Sequence, residues 1–256
     1  MEVSEYIEFV TTEGDLFASA ADNGELNVGI EACPSWDMRD LVRHLGLIHL
    51  WAAANVAIPQ ADVINDTEDL PDLARYWPTL AESWPDDADL VSWYRNTHAN
   101  LVEVLEAAPA DLECATFLPA KSPLSMWARR QASEIAVHRV DAEESRGIPS
   151  QFEPRFAGDM LDELLSAFVP RRPIGIESSK VLHVHAQDTN EHWYVTFGPE
   201  RTRTSRHGER ADLTLTGTAA GLYVQLWNRT PDSSIAMIGD STLMDLWRGN
   251  VRVRWS

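Results

Sequence analysis

Cysteine is scarce in this sequence. The 256 residues include only Cys33 and Cys114, with no Cys-x-x-Cys pair, which excludes a disulfide framework and fits a reducing compartment. The first residues are acidic and lack the basic and apolar regions of a signal peptide. No run of about 18 apolar residues is present, so no membrane span is expected. These absences predict a soluble, cytoplasmic protein.

Basic residues are also few. Lysine and arginine number 21 against 40 aspartates and glutamates, which gives a net charge of −19 and a pI near 4.7. Such a surface repels nucleic acid and anionic membranes, so neither is expected as a partner. What the chain does contain is apolar: 44% hydrophobic residues and ten tryptophans predict a folded protein with a real core.

Amphipathic periodicity predicts four helices in the first 150 residues, and four helices suggest a bundle. Asp37 is a plausible N-cap of the second helix, with Asp40 three residues on. Residues 57–85 are rich in proline and acid and interrupt the pattern, so they predict a long connection. A lid, a binding loop and a simple surface loop all remain open for it. The predicted helices cover residues 4–22, 37–56, 86–108 and 124–146.

The second half predicts a mixture of strands and helices. A helix over about 154–169 precedes a hairpin, "KVLHVHAQDTNEHWYVTFG", that turns around Asp188–Glu191. "ADLTLTGT" and the final "VRVRWS" read as strands, and "AAGLYVQLWNRT" and "STLMDLWRGN" as helices. The predicted fold class is therefore α+β with two domains, residues 1–150 and 151–256, and a helical linker over about 151–172.

The fourth predicted helix carries a glutamate and a histidine four residues apart, Glu134 and His138. At 100° per residue, His138 lies about 40° from Glu134 on the helix. Trp127 lies at about 20°, whereas Arg139 and its charged neighbours fall on the far side, beyond about 140°. Glu134 and His138 are therefore predicted to point inward. Asp141 shares their face and is placed to orient His138.

The second predicted helix supplies a third candidate ligand. His44 is centred on its apolar stripe, whereas His49 lies about 140° away and is predicted to point outside the bundle. A buried carboxylate needs a partner or a cation. Two imidazoles and a carboxylate with one open position are typical of a catalytic zinc site. The alternative from geometry alone is a core histidine that is hydrogen-bonded to Glu134.

Two motifs add a family resemblance. "CPSWDMRDLVRHLG" and "MWARRQASEIAVHRVDAE" resemble the mycothiol-dependent maleylpyruvate isomerase family. The resemblance implies a DinB-like four-helix bundle and a small, sterol-carrier-like α+β domain. It also implies a divalent metal, usually zinc, on His44, Glu134 and His138, with nickel as a further candidate. Through the "AAGLYVQLWNR" segment, it implies a role in activity for Arg229.

Together with the inward-facing ligands, this resemblance implies an enzyme that uses a metal and a low-molecular-weight thiol such as mycothiol. The thiol would be transferred to a small electrophilic substrate, or would add and leave again to isomerise it. Two alternatives stay open: a metal-dependent hydrolase and a non-enzymatic protein that binds a small apolar ligand. The sequence indicates neither the electrophile nor the oligomeric state.

Three further histidines fall on the predicted hairpin. His183 and His185 alternate along one strand and therefore share a face, and His192 lies across the hairpin. A second metal site is conceivable there. Solvent-facing histidines are the preferred interpretation, because no carboxylate is obviously placed with them.

Overall fold

The computed structural model describes most of the chain. The described residues are 1–58, 62–63, 85–171, 174, 176–199, 201–208, 210–229 and 234–251. They divide into two compact units, Met1–Ser150 and Gln151–Ser256. The predicted connection over 57–85 and the predicted final strand lie almost wholly outside the described residues. None of the described helices is both long enough and apolar enough to cross a bilayer.

The first unit is built from four described helices. Helix α1 packs mainly on α4, and α2 packs mainly on α3, while α2 also contacts α4. Their ends agree with the predicted ends to within one or two residues. The helices are α1 (Val3–Asp22), α2 (Met38–Ala57), α3 (Asp87–Ala107) and α4 (Pro123–Ser145).

Side-chain caps define where the two site-bearing helices begin. The Asp37 carboxylate accepts from the Asp40 backbone N–H at 3.1 Å, and the Asp40 carboxylate accepts from the Asp37 N–H at 3.1 Å. This reciprocal box confirms the predicted N-cap of α2. Helix α4 begins with Ser122 accepting from the Ser125 N–H at 3.1 Å. Past its end, Gly147 takes a left-handed φ of +66°, which favours glycine.

Two predicted orientations in the bundle are wrong. His49 is completely buried, and its ring lies 5.1 Å from Tyr94 on α3. Arg139 on the far side of α4 is also buried, where it donates to Glu13 at 2.5 Å and to Glu143 at 2.8 Å. The physical reason is that each helix is covered on more than one side, because α2 packs on α3 and α4, and α4 packs on α1 and α2. Charged residues therefore occur inside the bundle as paired groups rather than on its surface.

The second unit combines a five-stranded sheet with short helices. Helix α5 continues into a π-helical segment and a short 3₁₀ turn, so the helix predicted over 154–169 is present but not regular throughout. The two shortest strands, β3 and β5, were not predicted. The elements are α5 (Pro154–Asp162), the π segment (Glu163–Phe168), the 3₁₀ turn (Val169–Arg171), β1 (Lys180–Ala186), β2 (Glu191–Phe197), β3 (Arg203–Ser205), β4 (Leu213–Gly217), α6 (Ala219–Leu226), β5 (Ala236–Gly239) and α7 (Thr242–Asn250).

The strands follow the order β3-β2-β1-β4-β5. β1 and β2 form the predicted antiparallel hairpin, and β1 pairs with β4 in parallel. Alternate residues of β1, β2 and β4 are fully buried on one face, where α6 packs on β1 and β4. Their neighbours on the opposite face are only half-buried. The helical first unit and this sheet confirm the predicted α+β class.

Candidate metal centre

Three side chains converge inside the helical unit. Glu134 Oε1 lies 3.4 Å from His44 Nε2 and 3.4 Å from His138 Nε2. One ligand atom from each residue lies within 4.8 Å of both others. Among the described residues, this is the only group of three or more histidine, cysteine, aspartate or glutamate side chains with that convergence. The structure therefore brings together the three residues that the sequence predicts.

Helix geometry accounts for the convergence. Residues four apart on α4 lie one above the other on the same face, which places the Glu134 and His138 side chains side by side. Helix α2 presents His44 to this face, and its ring meets the His138 ring edge-on, with centroids 5.0 Å apart at 78°. All three side chains are nearly buried: those of His44 and Glu134 are each 11% exposed, and that of His138 is 3% exposed.

Two further buried side chains on α4 orient the candidate ligands. His138 Nδ1 donates to Asp141 Oδ2 at 2.8 Å, which turns Nε2 toward Glu134. Arg130 Nη2 donates to Glu134 Oε2 at 2.9 Å, which leaves Oε1 on the side of the two imidazoles. Hydrogen-bonded partners of this kind fix the orientation of metal ligands.

Arg130 is not among the residues predicted from the sequence. It lies four residues before Glu134, which is about −40° on the helix and thus on the inward face. The same phase argument that selected Glu134 would have selected it, together with the stabilising spacing of opposite charges at i and i+4. Asp141, by contrast, contacts His138 as the sequence predicts.

Electrostatics keep the carboxylate ionised. Burial alone would raise the pKa of Glu134, but its hydrogen bonds to His138 and His44 and the Arg130 charge hold that pKa well below its usual range. Burial lowers the pKa of His44. For His138, burial acts in the same direction, but the hydrogen bonds to Asp141 and Glu134 raise its pKa above the usual value. The site therefore holds an ionised carboxylate between two imidazoles.

An indole forms one wall of the site. The Trp36 ring centroid lies 5.0 Å from that of His44 and 6.4 Å from that of His138. Trp36 is half-buried, and its backbone is fixed because its carbonyl accepts from the Ile30 N–H at 3.0 Å. The indole therefore forms an apolar wall beside both imidazoles.

The donor set fits a divalent metal. Two ligand atoms bound at about 2.1 Å in a tetrahedron lie about 3.4 Å apart, which is the spacing of Glu134 Oε1 from both Nε2 atoms. Three protein ligands from two helices leave a further coordination position open, as in catalytic sites. The histidine and carboxylate donors suit zinc or nickel but do not select between them.

Arg229 belongs to the other unit. It follows helix α6, where its backbone N–H donates to the Val224 carbonyl at 3.1 Å and its guanidinium donates to the Trp227 carbonyl at 2.8 Å. Arg229 is half-buried. These contacts define its local position only, and its role in activity stays a prediction.

The fold and the site together define a helical-bundle protein with an inward-facing two-histidine, one-carboxylate centre and an appended α+β unit. Profiles of two domains match this chain: the mycothiol maleylpyruvate isomerase N-terminal domain over residues 9–143 and the C-terminal domain of the same isomerase over residues 155–246. The chain therefore belongs to the mycothiol-dependent maleylpyruvate isomerase family, which is a family of enzymes.

Solved structures show the same fold. A crystal structure of a mycothiol-dependent maleylpyruvate isomerase superposes with a TM-score of 0.62 at 14% identity, over 94% of each chain. The crystal structure of a histidine-to-alanine mutant of such an isomerase superposes with a TM-score of 0.63 at 13% identity, again over 94% of each chain. The comparison with curated protein sequences gives no match.

Proposed function

We propose that His44, Glu134 and His138 hold a divalent metal, zinc or nickel, and that the protein uses it with a low-molecular-weight thiol such as mycothiol. The observation that carries this proposal is the pair of 3.4 Å spacings between Glu134 Oε1 and the two imidazole nitrogen atoms. Membership of a mycothiol-dependent isomerase family supports the thiol as the second component.

A bound divalent cation favours the thiolate form of a thiol, which is the nucleophilic form. Two residues of this chain orient the ligands for that cation. Arg130 occupies one oxygen of Glu134, so the carboxylate binds through the other. Asp141 holds the proton of His138 on Nδ1, so the opposite nitrogen is free to ligate.

The chemistry that follows is addition of sulfur to an electrophilic carbon of a small substrate. The thiol loses its proton to solvent, and its sulfur adds to one carbon of a double bond conjugated to a carbonyl; the π bond breaks and its electron pair moves to the carbonyl oxygen as an enolate. Protonation of the enolate at carbon gives an S-conjugate. If instead the adduct rotates about the bond that is now single and the C–S bond breaks, the double bond re-forms in the isomer and the thiolate takes its proton back. Arg229 is proposed to hold a substrate carboxylate by a bidentate contact.

The hydrolase alternative has less support at this site. It needs a general base for water, and the carboxylate that contacts a candidate ligand besides Glu134 is Asp141. Asp141 is 2% exposed and is engaged with His138 at 2.8 Å, so its role is to orient an imidazole. A protein that only binds an apolar ligand would not need an ionised carboxylate between two imidazoles.

Metal analysis of the purified protein tests the first half of the proposal. His44→Ala is expected to lower the metal content by about one equivalent per chain, because two remaining ligands hold zinc weakly. His207→Ala is the matched control, since His207 is an exposed histidine in the other unit. Equal metal contents of wild type and His44→Ala after zinc or nickel loading would contradict the proposed centre.

Thiol binding tests the second half. In the cobalt-substituted protein, mycothiol is expected to produce a sulfur-to-metal charge-transfer absorption that His44→Ala lacks. Titration with other low-molecular-weight thiols then ranks the thiol specificity. A spectrum that no thiol changes, in protein that does hold the metal, would refute thiol activation and leave hydrolysis as the better hypothesis.

A further inference from the structure

Three of the eight histidines lie together on the sheet of the second unit, and the proposed function does not use them. His185 on β1 is directly opposite His192 on β2, and His183 is opposite Tyr194. Directly opposite residues of an antiparallel pair share a face. All four rings therefore lie on the half-buried face, while the other face carries the core of the unit.

The rings form one continuous stack. The His185 and His192 centroids are 4.1 Å apart at 12°, and those of His183 and Tyr194 are 4.4 Å apart at 8°. His183 Nε2 lies 3.0 Å from His192 Nδ1. His192 is thus the central member, in contact with both other imidazoles.

His183 and His192 share a hydrogen bond, so one of the two facing nitrogen atoms carries a proton that metal binding would release to solvent. Burial and the neighbouring imidazoles His192 and His185 lower the pKa of His183. Burial and His192 lower the pKa of His185. A neutral imidazole has a lone pair on one nitrogen atom, and this is the form that ligates a metal. Their partial exposure leaves a path for an ion from solvent.

We propose that His183 and His192 bind a second divalent transition metal, copper, nickel or zinc, and that His185 supplies a third ligand. Ligand atoms bound at roughly 2.0–2.1 Å lie about 2.9 Å apart at a 90° angle and about 3.4 Å apart in a tetrahedron. The hydrogen bond between His183 Nε2 and His192 Nδ1 spans 3.0 Å, close to the first value, so a metal ion that replaces its proton would contact both nitrogen atoms with little movement. The corresponding 90° ligand angle is the one that Cu²⁺ and Ni²⁺ prefer.

His185 must turn to complete the site. Its ring is parallel to the others, and the described residues contain no second group of three ligands whose atoms already converge. His185 is only half-buried on the sheet face, so a rotamer change moves it without opening the core. Its position two residues from His183 on the same strand keeps both side chains on one side of the sheet.

The experiment measures Cu²⁺ and Ni²⁺ binding to the full chain by equilibrium dialysis. Wild type is compared with the single variants His183→Gln and His192→Gln, with the double variant, and with His207→Gln as the matched control. The double variant is expected to bind about one equivalent less than wild type. Each single variant weakens that equivalent by at least about tenfold, because even loss of a supporting partner has such an effect. His207→Gln should bind as wild type does.

Two further measurements keep the outcome clear. The Cu²⁺ electron paramagnetic resonance spectrum of the second equivalent is expected to show hyperfine structure from two or three imidazole nitrogen atoms. The milder variant His185→Gln leaves the closest pair intact and should lose one nitrogen from that spectrum. Circular dichroism of the metal-free variants establishes that the sheet is folded.

The proposal is overturned if the double variant is folded and binds as many equivalents as wild type. A second equivalent that lacks nitrogen hyperfine structure would also overturn it. The result is separable from the thiol-dependent function, because His44→Ala removes the bundle metal and should leave the sheet-face equivalent in place.

Discussion

Asp141 offers the sharpest test of how the bundle centre is organised. Its carboxylate accepts from His138 Nδ1 at 2.8 Å, and the two side chains are 0% and 3% exposed. Asp141→Asn keeps the shape and one acceptor oxygen but removes the charge. We expect the metal to be held more weakly, because a neutral acceptor orients the imidazole less firmly and makes its other nitrogen less basic.

The size of the effect follows from the type of bond. A hydrogen bond to a charged group contributes about 1.5–3 kcal/mol, against about 0.5–1.5 kcal/mol for a neutral one. The difference of about 1–1.5 kcal/mol corresponds to a zinc affinity lower by about tenfold. Asp141→Ala removes the acceptor altogether, so the loss of zinc affinity should approach about 100-fold, the upper range for loss of a hydrogen-bonded partner of a metal ligand.

Competition with a chromophoric chelator measures both affinities. Asp111→Asn is the control, since Asp111 is an exposed aspartate of the same unit. Urea unfolding of the metal-free proteins separates positioning from general damage, because a positioning role lowers zinc affinity more than it lowers the stability of the metal-free protein. Wild-type zinc affinity in Asp141→Asn, with the fold intact, would refute the reasoning.

Two stability predictions concern the rest of the bundle. Burial raises the pKa of Glu13 to about 7, so its contribution to the free energy of unfolding is fully present below about pH 4.5 and is lost as the pH rises through 7, by at most about 3 kcal/mol. Urea unfolding between pH 5.5 and 8 should therefore show a flatter pH dependence in Glu13→Gln, whereas the exposed Glu8→Gln should follow wild type; parallel curves for Glu13→Gln would contradict this. Gly46→Ala should lower the free energy of unfolding by about 1–3 kcal/mol, because its Cβ would lie 2.1 Å from the Trp93 ring. Gly29→Ala, where nothing lies within 4 Å, should cost less, and equal losses in a denaturant titration would argue against the steric reason.

The sequence predicted the helices and the inward-facing cluster because both depend on local periodicity. Helical phase alone places Glu134 and His138 on one face, and it selects His44 on a second helix. The N-cap at Asp37 is equally local, and the structure has it where the residues indicate. A pattern that repeats with every helical turn can be recognised in a single sequence.

What the sequence did not predict depends on packing between distant segments. His49 and Arg139 lie away from the apolar stripes of their helices, yet both are buried, because a helix inside a bundle is covered on more than one side. The partner of Arg139, Glu13, is more than a hundred residues away in the chain. The short strands β3 and β5 depend on edge pairing with strands already formed, and three or four residues carry little periodicity of their own.

Helix α4 carries both the candidate metal ligands and a buried ion pair. One side carries Glu134 and His138 toward α2, and another carries Arg139 toward Glu13 on α1. Because Arg139 follows His138 directly, its buried ion pair fixes the rotation and height of the helix at the residue next to a candidate ligand. A rotation of α4 by one residue would turn His138 about 100° away from His44 and would also leave Arg139 buried without its carboxylates. The cost of an unpaired buried charge, about 3–5 kcal/mol, therefore acts against the same displacement that would dismantle the metal centre.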